Sequence, residues 1–338
     1  MSDPAWRWRP AVPEDLGGIR ALFDAVKQGE RPLAHDRWRF FGRRDAPAVL
    51  MVGEDDDGIA GLNALIPTEA VLDLRRFAAC QSIDTMVHPR ARGRGLFGLL
   101  ALKAREEAAS RGIEVIYGFP NDLSLPMFVK SQAFHYIDDM PKYVRWIQPS
   151  RRKPGAGGAA LDRLVALLPR GRTARGVEVA LGKPDDGALS ALIEPHPAPG
   201  ECRVVRTLGE LEWRYAPEAA MGYEWLTARR GGAVIAAAVW GMRDASWGKR
   251  ATGRAGLMEL LGTDADGLAA VLAGAIDRAR KAGAWRLEAI CSRAELTPIL
   301  RRAAFLRKGT VPFDGRRCPD DAPPPYDWGV ITGDFDGY

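Results

Sequence analysis

Residues 87–100 read VHPRARGRGLFGLL. The apolar stretch AACQSIDTMV runs into Pro89, then arginines 90, 92 and 94 alternate with small residues, among them Gly93 and Gly95. The amphipathic run LFGLLALKAREEAASRG follows directly. The order is strand, proline, basic glycine loop, helix. A solvated turn would account for the composition alone. A cradle for a phosphate-bearing group accounts for the composition and the position together. Free N–H groups at a helix start point outward and the helix dipole favours negative charge there. Glycines let backbone approach a ligand closely, and arginines grip phosphate oxygens in pairs.

Around this stretch the first half reads as mixed α/β. WRWRPA is a short strand, and PEDLGGIRALFDAVKQ is a helix opened by Pro13 and acids. HDRWRFFG is a second short helix; its Trp38 and Phe40 read as core or as a substrate platform. Residues 47–72 form a hairpin about Asp55–Gly58. Gly112 closes the long helix as its C-cap, IEVIYGFP is a buried-type strand, SLPMFVKSQA a short helix, and FHYIDDMPKYVRWI the last strand region. QPSRRKPGAGGAA, rich in proline, glycine and charge, reads as a linker.

The second half repeats the first. RGIEVIYGFPNDLSLPMFVKSQAF (111–134) and AGAWRLEAICSRAELTPILRRAAF (282–305) share one order of helix, glycine, strand, loop, helix and Ala-Phe, at a separation of 171 (283 − 112 and 305 − 134). DRWRFFG has a counterpart in LEWRYAP at 211–217. This is the signature of one domain present twice. The same offset lays Arg92–Gly95 on Thr263-Asp264-Ala265-Asp266. The front copy is cationic and glycine-rich where the back copy carries two carboxylates. Those carboxylates would repel a pyrophosphate and suit their own helix start.

Bulk properties narrow the rest. A length of 338 residues allows two domains of ordinary size, and 46% hydrophobic with 27% charged residues is a globular composition. No stretch approaches the roughly 20 apolar residues of a membrane span, and the opening MSDPAWRWRP is not a secretory signal. Four scattered cysteines and four histidines, none spaced as a ligand pair, fit reduced thiols in a cytoplasmic setting and no metal. The net charge of +5 is modest, and the basic clusters lack interleaved aromatics, which argues against nucleic acid.

The loop and its setting resemble the V-x-P-x-x-[RQ]-G-x-G-x-[GA] motif of the GNAT superfamily of acyl-CoA-dependent N-acyltransferases. The resemblance covers residues 5–147 well and the second half weakly. Val87 and Pro89 set the frame that begins at Arg92; Phe97 then stands where the family has a small residue, with Gly98 next. The resemblance implies an α/β (α+β) fold of two GNAT-like domains, each a mixed, mostly antiparallel central sheet flanked by helices. A catalytic domain would span 1–148, a linker 149–160, and a degenerate domain that shapes the acceptor pocket 161–338. It implies acetyl-CoA or another acyl-CoA as donor, no metal, and transfer to a primary amine of a small molecule such as an amino sugar. The bulk properties give the expectation of a cytoplasmic protein without nucleic-acid or membrane partners, and a homodimer is compatible with it.

The resemblance also distributes roles. Thr85, Met86 and Val87 would pair with the pantetheine arm, with the N–H of Met86 or Val87 polarising the thioester carbonyl. Arg92, Gly93, Arg94, Gly95, Leu96, Phe97 and Gly98 would hold the pyrophosphate. Asn121, Ser124 and Phe128 match the family's N-x-x-[AS]-x-x-x-[YF], with Asn121 toward the pantetheine. Many members carry at the last position a tyrosine that protonates the departing thiolate. Phe128 cannot, yet a thiol of pKa about 8.5 leaves adequately unaided; Tyr117 and Tyr136 are alternatives.

An amine must lose a proton before it attacks. Asp84 lies between apolar neighbours in QSIDTMV, where a carboxylate is costly without a partner or a task. It reads as the general base or as an aspartate held by a salt bridge, and alternation puts it on one face with Ser82 and Met86. His88 reads as a loop residue. Asp334 and Asp336 in the tail read as an attractor for a cationic amine or as a solvated pair. Two other classes remain: a non-catalytic acyl-CoA-binding or regulatory module, favoured by Phe128 and opposed by Asp84, and an aminoacyl-tRNA-dependent transferase, opposed by the intact loop.

Overall fold

The structure is a computed structural model. It describes the chain except residues 1–5, 28–30, 44, 132, 170–173, 194–196, 220, 244–252, 319, 321, 325–326 and 336–338. The front half runs β1 (Arg7–Pro10), α1 (Leu16–Lys27), α2 (Leu33–Phe41), β2 (Val49–Asp55), β3 (Gly58–Leu72), β4 (Arg75–Val87), α3 (Leu96–Ser110), β5 (Val115–Gly118), α4 (Leu125–Lys130) and β6 (His135–Trp146). The back half runs α5 (Ala156–Ala166), β7 (Val177–Leu181), α6 (Asp186–Ile193), β8 (Glu201–Val204), α7 (Leu208–Arg214), β9 (Glu224–Arg230), β10 (Ala233–Met242), β11 (Arg254–Leu261), α8 (Ala265–Lys281), β12 (Arg286–Ile290), α9 (Thr297–Arg302), β13 (Leu306–Arg317) and β14 (Asp327–Trp328). The segment read as a linker is a 3-10 turn at Pro149–Arg151 followed by the start of α5.

All described strands join one sheet, where the sequence suggested one for each half. Its order is β1-β2-β3-β4-β5-β13-β6-β12-β11-β10-β9-β7. Pairing is antiparallel except for β4 with β5, β11 with β12, and β14 with β8. The two halves are joined by exchange. β6 and β13 begin 171 positions apart (306 − 135) and pair with each other. Each also crosses to the opposite half: β13 pairs β5, and β6 pairs β12. β8 adds to the far end of β3 at Ala70–Leu72. Periodicity marks a residue as strand but says nothing about which edge accepts it, so this exchange is invisible in the sequence.

Helix α3 sits low on the front sheet because two strand glycines make room. A Cβ on Gly53 would lie 2.6 Å from Leu96 Cδ1, and one on Gly61 2.7 Å from Leu100 Cδ1. The close seat fixes where the helix start points. Gly112 follows α3 at φ +76°, the left-handed conformation that ends a helix. Beneath α3 and α4 lies a core of Val49, Cys80, Leu96, Leu100, Ile116, Phe128 and Phe134. On the other face α1 and α2 cover Leu50, Leu62, Ile83 and Met86. A further core is composite: Phe77, Tyr117 and Met140 of the front half pack with Val204, Phe313 and Trp328 of the back half.

Phe313 is fully buried and touches the rings of Tyr117, Phe119 and Trp328. Phe313→Ala should cost about 3–5 kcal/mol. Because the strands are exchanged, urea unfolding should remain one transition, shifted as a whole by circular dichroism and tryptophan fluorescence alike. Two transitions, of which only one moves, would contradict the shared sheet.

Candidate active site

The loop after β4 holds its shape through internal contacts that leave its ligand-facing groups open. Arg90 forms a two-pronged ion pair with Asp55, at 2.9 and 3.0 Å, and Ala91 is buried beneath. His88 caps the 3-10 turn Pro89–Ala91, its Nδ1 accepting from the Arg90 N–H at 3.2 Å. Gly93 and Gly95 then adopt φ of +75° and +79°, with open space where a Cβ would stand. Gly95 is the N-cap of α3, and no side chain among the described residues caps that helix. Its first N–H groups are therefore unclaimed by a cap. Arg92 reaches only the Val87 carbonyl, at 3.4 Å, and Arg94 stacks on Trp6, which donates to the Arg94 carbonyl. Neither forms an ion pair among the described residues. Leu96 is buried, Phe97 packs on Phe128, and a Cβ on Gly98 would stand 3.5 Å from the Ser131 Cβ. A pyrophosphate fits this cradle: exposed glycines, a helix start without a side-chain cap among the described residues, and two guanidinium groups that form no ion pair among them.

Beside the loop the sheet parts. β5 pairs β4 from Ala79↔Val115 to Ser82↔Gly118 and ends there, while β4 continues to Val87 paired only with β3. The His88 N–H donates to the Ala60 carbonyl, on the β3 side. Alternation along the strand then turns the Val87 N–H toward the open edge and the Met86 N–H toward β3. Of the two candidate donors, Val87 is the one aimed into the gap.

Asp84 forms a bulge at this point. Its φ is +43°, and the register with β3 shifts between Leu62 and Ala64. The expected shared face of Ser82, Asp84 and Met86 is corrected by this bulge. Met86 packs with Ile83 under α1 and α2, whereas Ser82 faces α3 beside Gly118. The Asp84 carboxylate is 14% exposed and lies 2.5 Å from Arg31 Nη1 and 3.8 Å from Arg39 Nε. Arg31 also pairs with Asp36 at 2.5 Å. Burial pushes the Asp36 carboxyl up to about 6. Burial, and then the Arg39 charge, hold His35 down to about 3, so its neutral ring bonds the Ala219 carbonyl through Nδ1. The Thr85 hydroxyl accepts from the Asn63 side chain at 3.2 Å.

The back half carries the same cluster 175 positions on (206 − 31 and 259 − 84): Arg206 pairs with Glu259 at 2.9 Å as Arg31 pairs with Asp84. Trp38 and Trp213 belong to this repeat and stack on each other at 4.9 Å, each indole donating to the other's carbonyl. Trp38 is thus packing at the seam between halves, and Phe40 is core. The loop is not repeated. β11 reaches α8 through three residues, 262–264, and Asp264 caps α8 by accepting from the Gly267 N–H at 2.8 Å. Asp264 and Asp266 both pair with Arg230. The Gly267 N–H, with Arg230 close by, holds the Asp264 carboxyl below its usual range. The tail reading is corrected for Asp334, which is neither solvated nor free: it is buried, paired with Arg206 at 2.6 Å, and its carbonyl accepts from Gln81. Asp336 lies outside the described residues.

Past β5, Asn121 is exposed and turns its carbonyl oxygen onto the N–H groups of Leu123 and Ser124, at 3.0 and 2.9 Å. Ser124 Oγ accepts from the Asn121 N–H in return. Phe128 is buried between Phe97 and Phe134. Tyr117 is buried on the opposite face, where burial raises its phenol, and Tyr136 is exposed. The sequence reading passed over Asp314. It sits on β13 opposite Gly118, 1% exposed, with Oδ1 2.8 Å from where a Gly118 Cβ would stand and Oδ2 without a hydrogen-bond partner among the described residues. Burial pushes its carboxyl up to about 7. The signal was legible: Asp314 interrupts VPFDGRR as Asp84 interrupts QSIDTMV. Its position beside Gly118 was not.

Residues 7–131 match the family model described as an acetyltransferase (GNAT) domain. No curated protein matches the chain at a significant level. Among solved structures, a probable N-acyltransferase from Enterococcus faecalis aligns with a TM-score of 0.66 at 12% identity, over 93% of this chain and 72% of its own. A tandem GNAT protein from the clavulanic acid biosynthesis pathway aligns with a TM-score of 0.56 at 14% identity, over 94% and 99%. A GCN5-related N-acetyltransferase from Kribbella flavida gives 0.60 at 14%, over 93% and 71%. At these identities the structures attest the fold, and the domain match attests the family. Residues 7–131 therefore belong to the GNAT acetyltransferase family, and the chain is an acyltransferase that carries this domain in its first half.

Proposed function

We propose that the chain moves an acyl group, acetyl first among them, from acyl-CoA to a primary amine of a small molecule such as an amino sugar. The observation that carries this reading is the contrast between two helix starts: α3 opens uncapped behind two left-handed glycines, and α8 is closed by Asp264. Arg92 and Arg94, with the N–H groups from Gly93 to Gly98, hold the pyrophosphate. The β4 edge at Thr85–Val87 takes the pantetheine arm, with Asn121 and Ser124 at the far side and Phe97 and Phe128 packed beneath. When bound, the thioester supplies an activated acyl group. The Val87 N–H stabilises the negative charge that grows on its carbonyl oxygen.

Asp84 positions rather than reacts. Its oxygen is committed to Arg31, and the same pair recurs at Glu259, where there is no phosphate loop. The pair pins the bulge that aims the Val87 N–H. Asp314 is the proton acceptor. It stands where β4 and β5 part, its Oδ2 has no hydrogen-bond partner among the described residues, and a carboxyl raised to about 7 suits proton transfer near neutral pH. The thiolate leaves without an acid, as Phe128 requires.

Calorimetry should detect one acetyl-CoA per chain. Replacing both Arg92 and Arg94 by alanine should weaken it at least about tenfold, since hydrogen bonds to charged groups contribute about 1.5–3 kcal/mol each. Asp264→Ala should cost about 1 kcal/mol of stability and leave that affinity alone. Unchanged binding in the double variant would overturn the site. Binding without thiol release across a broad panel of amines would favour the non-catalytic module.

The Asp314 carboxyl also sets a pH dependence. Folded, it keeps until about pH 7 the proton that an ordinary aspartate at 3.8 has already lost. The folded state therefore holds more protons across that window, and stability falls as pH rises through it. Asp314→Asn should flatten that slope, lower turnover, and remove the rise in rate through pH 7. Asp84→Asn should instead lose stability, by about 3–5 kcal/mol for an orphaned buried partner, and keep the pH profile. A fully active Asp314→Asn with the original profile would sink the assignment.

A further inference from the structure

A surface helix of a globular protein turns its apolar stripe inward, and α5 does the reverse. Its inward side is Gly158, Asp162 and Val165, of which Gly158 and Val165 are buried and Asp162 is half-buried. Leu161, Leu164, Leu167 and Leu168 are all exposed, Leu164 by 61% and Leu167 by 82%. The spacing 161, 164, 168 lays them along one outward side. A single exposed leucine is ordinary, but a contiguous row of four marks a contact surface.

The same surface is cationic. Arg151, Arg152 and Lys153 close the 3-10 turn before α5, and the helix is locked onto that turn. A Cβ on Gly158 would lie 2.1 Å from the Lys153 carbonyl oxygen. Asp162 accepts from the Ser150 N–H at 3.0 Å and from the Ser150 hydroxyl. Arg163 stands one helical turn before Leu167. These four cations are exposed, and none forms an ion pair among the described residues. Arg151 donates to the Gln148 side chain and Arg152 lies over the Trp285 ring, so both keep their charge uncompensated. Asp162 is the one acid between residues 149 and 169, and it is tied to the turn. The same stretch has no aromatic residue. A protein interface draws on aromatics and sheds lysine, whereas a lipid surface takes aliphatic side chains flanked by cations.

We propose that this face of α5 docks on an anionic lipid surface, with the four leucines at the boundary of headgroups and acyl chains and Arg151, Arg152, Lys153 and Arg163 on the lipid phosphates. The docking is peripheral: among the described residues no helix is long and apolar enough to cross a membrane. It revises the expectation of no membrane partner, which rested on the absence of a span. It does not depend on acyl transfer in the front half.

The test is co-sedimentation of the full chain with vesicles of phosphatidylcholine, with and without phosphatidylglycerol. Each cation near an anionic bilayer adds about fivefold in affinity. The phosphatidylglycerol vesicles should therefore bind at least about tenfold more tightly, and added salt should release the protein. Leu164→Asp with Leu167→Asp, and separately Lys153→Glu with Arg163→Glu, should each weaken that binding at least about tenfold. All four positions are exposed, so the circular dichroism spectrum should hold. Arg92→Ala with Arg94→Ala should leave vesicle binding as it was. Absence of binding, equal binding to both vesicles, or a loss confined to the Arg92 and Arg94 double variant would overturn the proposal. So would a dimer in sedimentation velocity that the leucine double variant dissolves, which would make this face a contact between copies of the chain.

Discussion

A helix begins with N–H groups that its own turns cannot satisfy, and what satisfies them divides the two halves of this chain. At α8 the carboxylate of Asp264 does it, with Arg230 balancing the charge. At α3 no side chain among the described residues does, because the N-cap is Gly95 in a conformation that only glycine adopts freely. The open start is kept in place by unrelated contacts: Arg90 on Asp55 anchors the loop, and Gly53 and Gly61 let α3 settle onto the sheet.

The halves are copies in fold and partners in structure. Exchange of β6 and β13 closes one sheet across them, and the stacked Trp38 and Trp213 join the helices above it. The exchange brings Asp314 of the back half against Gly118, at the parting of β4 and β5. The proposed site is thus composite, with an anion-gripping edge from one half and a buried carboxyl from the other. The arginine–carboxylate cluster appears in both halves, which marks it as part of the scaffold.

The front helix, loop and hairpin were legible in the sequence because they rest on local rules: period, caps and glycine placement. The repeat was legible too, at its 171-residue spacing. Three things were not. The bulge at Asp84 broke an alternation that looked regular, because pairing geometry rather than composition decides where a strand gains a residue. The tail carboxylate of Asp334 read as an amine attractor or as solvated, and it is buried on Arg206, a partner chosen by tertiary contact alone. The nearness of Asp314 to Gly118 depends on strand exchange, which leaves no local trace. Short-range physics wrote the elements, and long-range pairing assembled the site.

Amide hydrogen exchange with and without acetyl-CoA reads the two helix starts in one experiment. The cofactor should slow exchange at residues 92–98 and at Val87 and leave residues 264–268 unchanged. Protection at the start of α8, or none at the start of α3, would contradict the account.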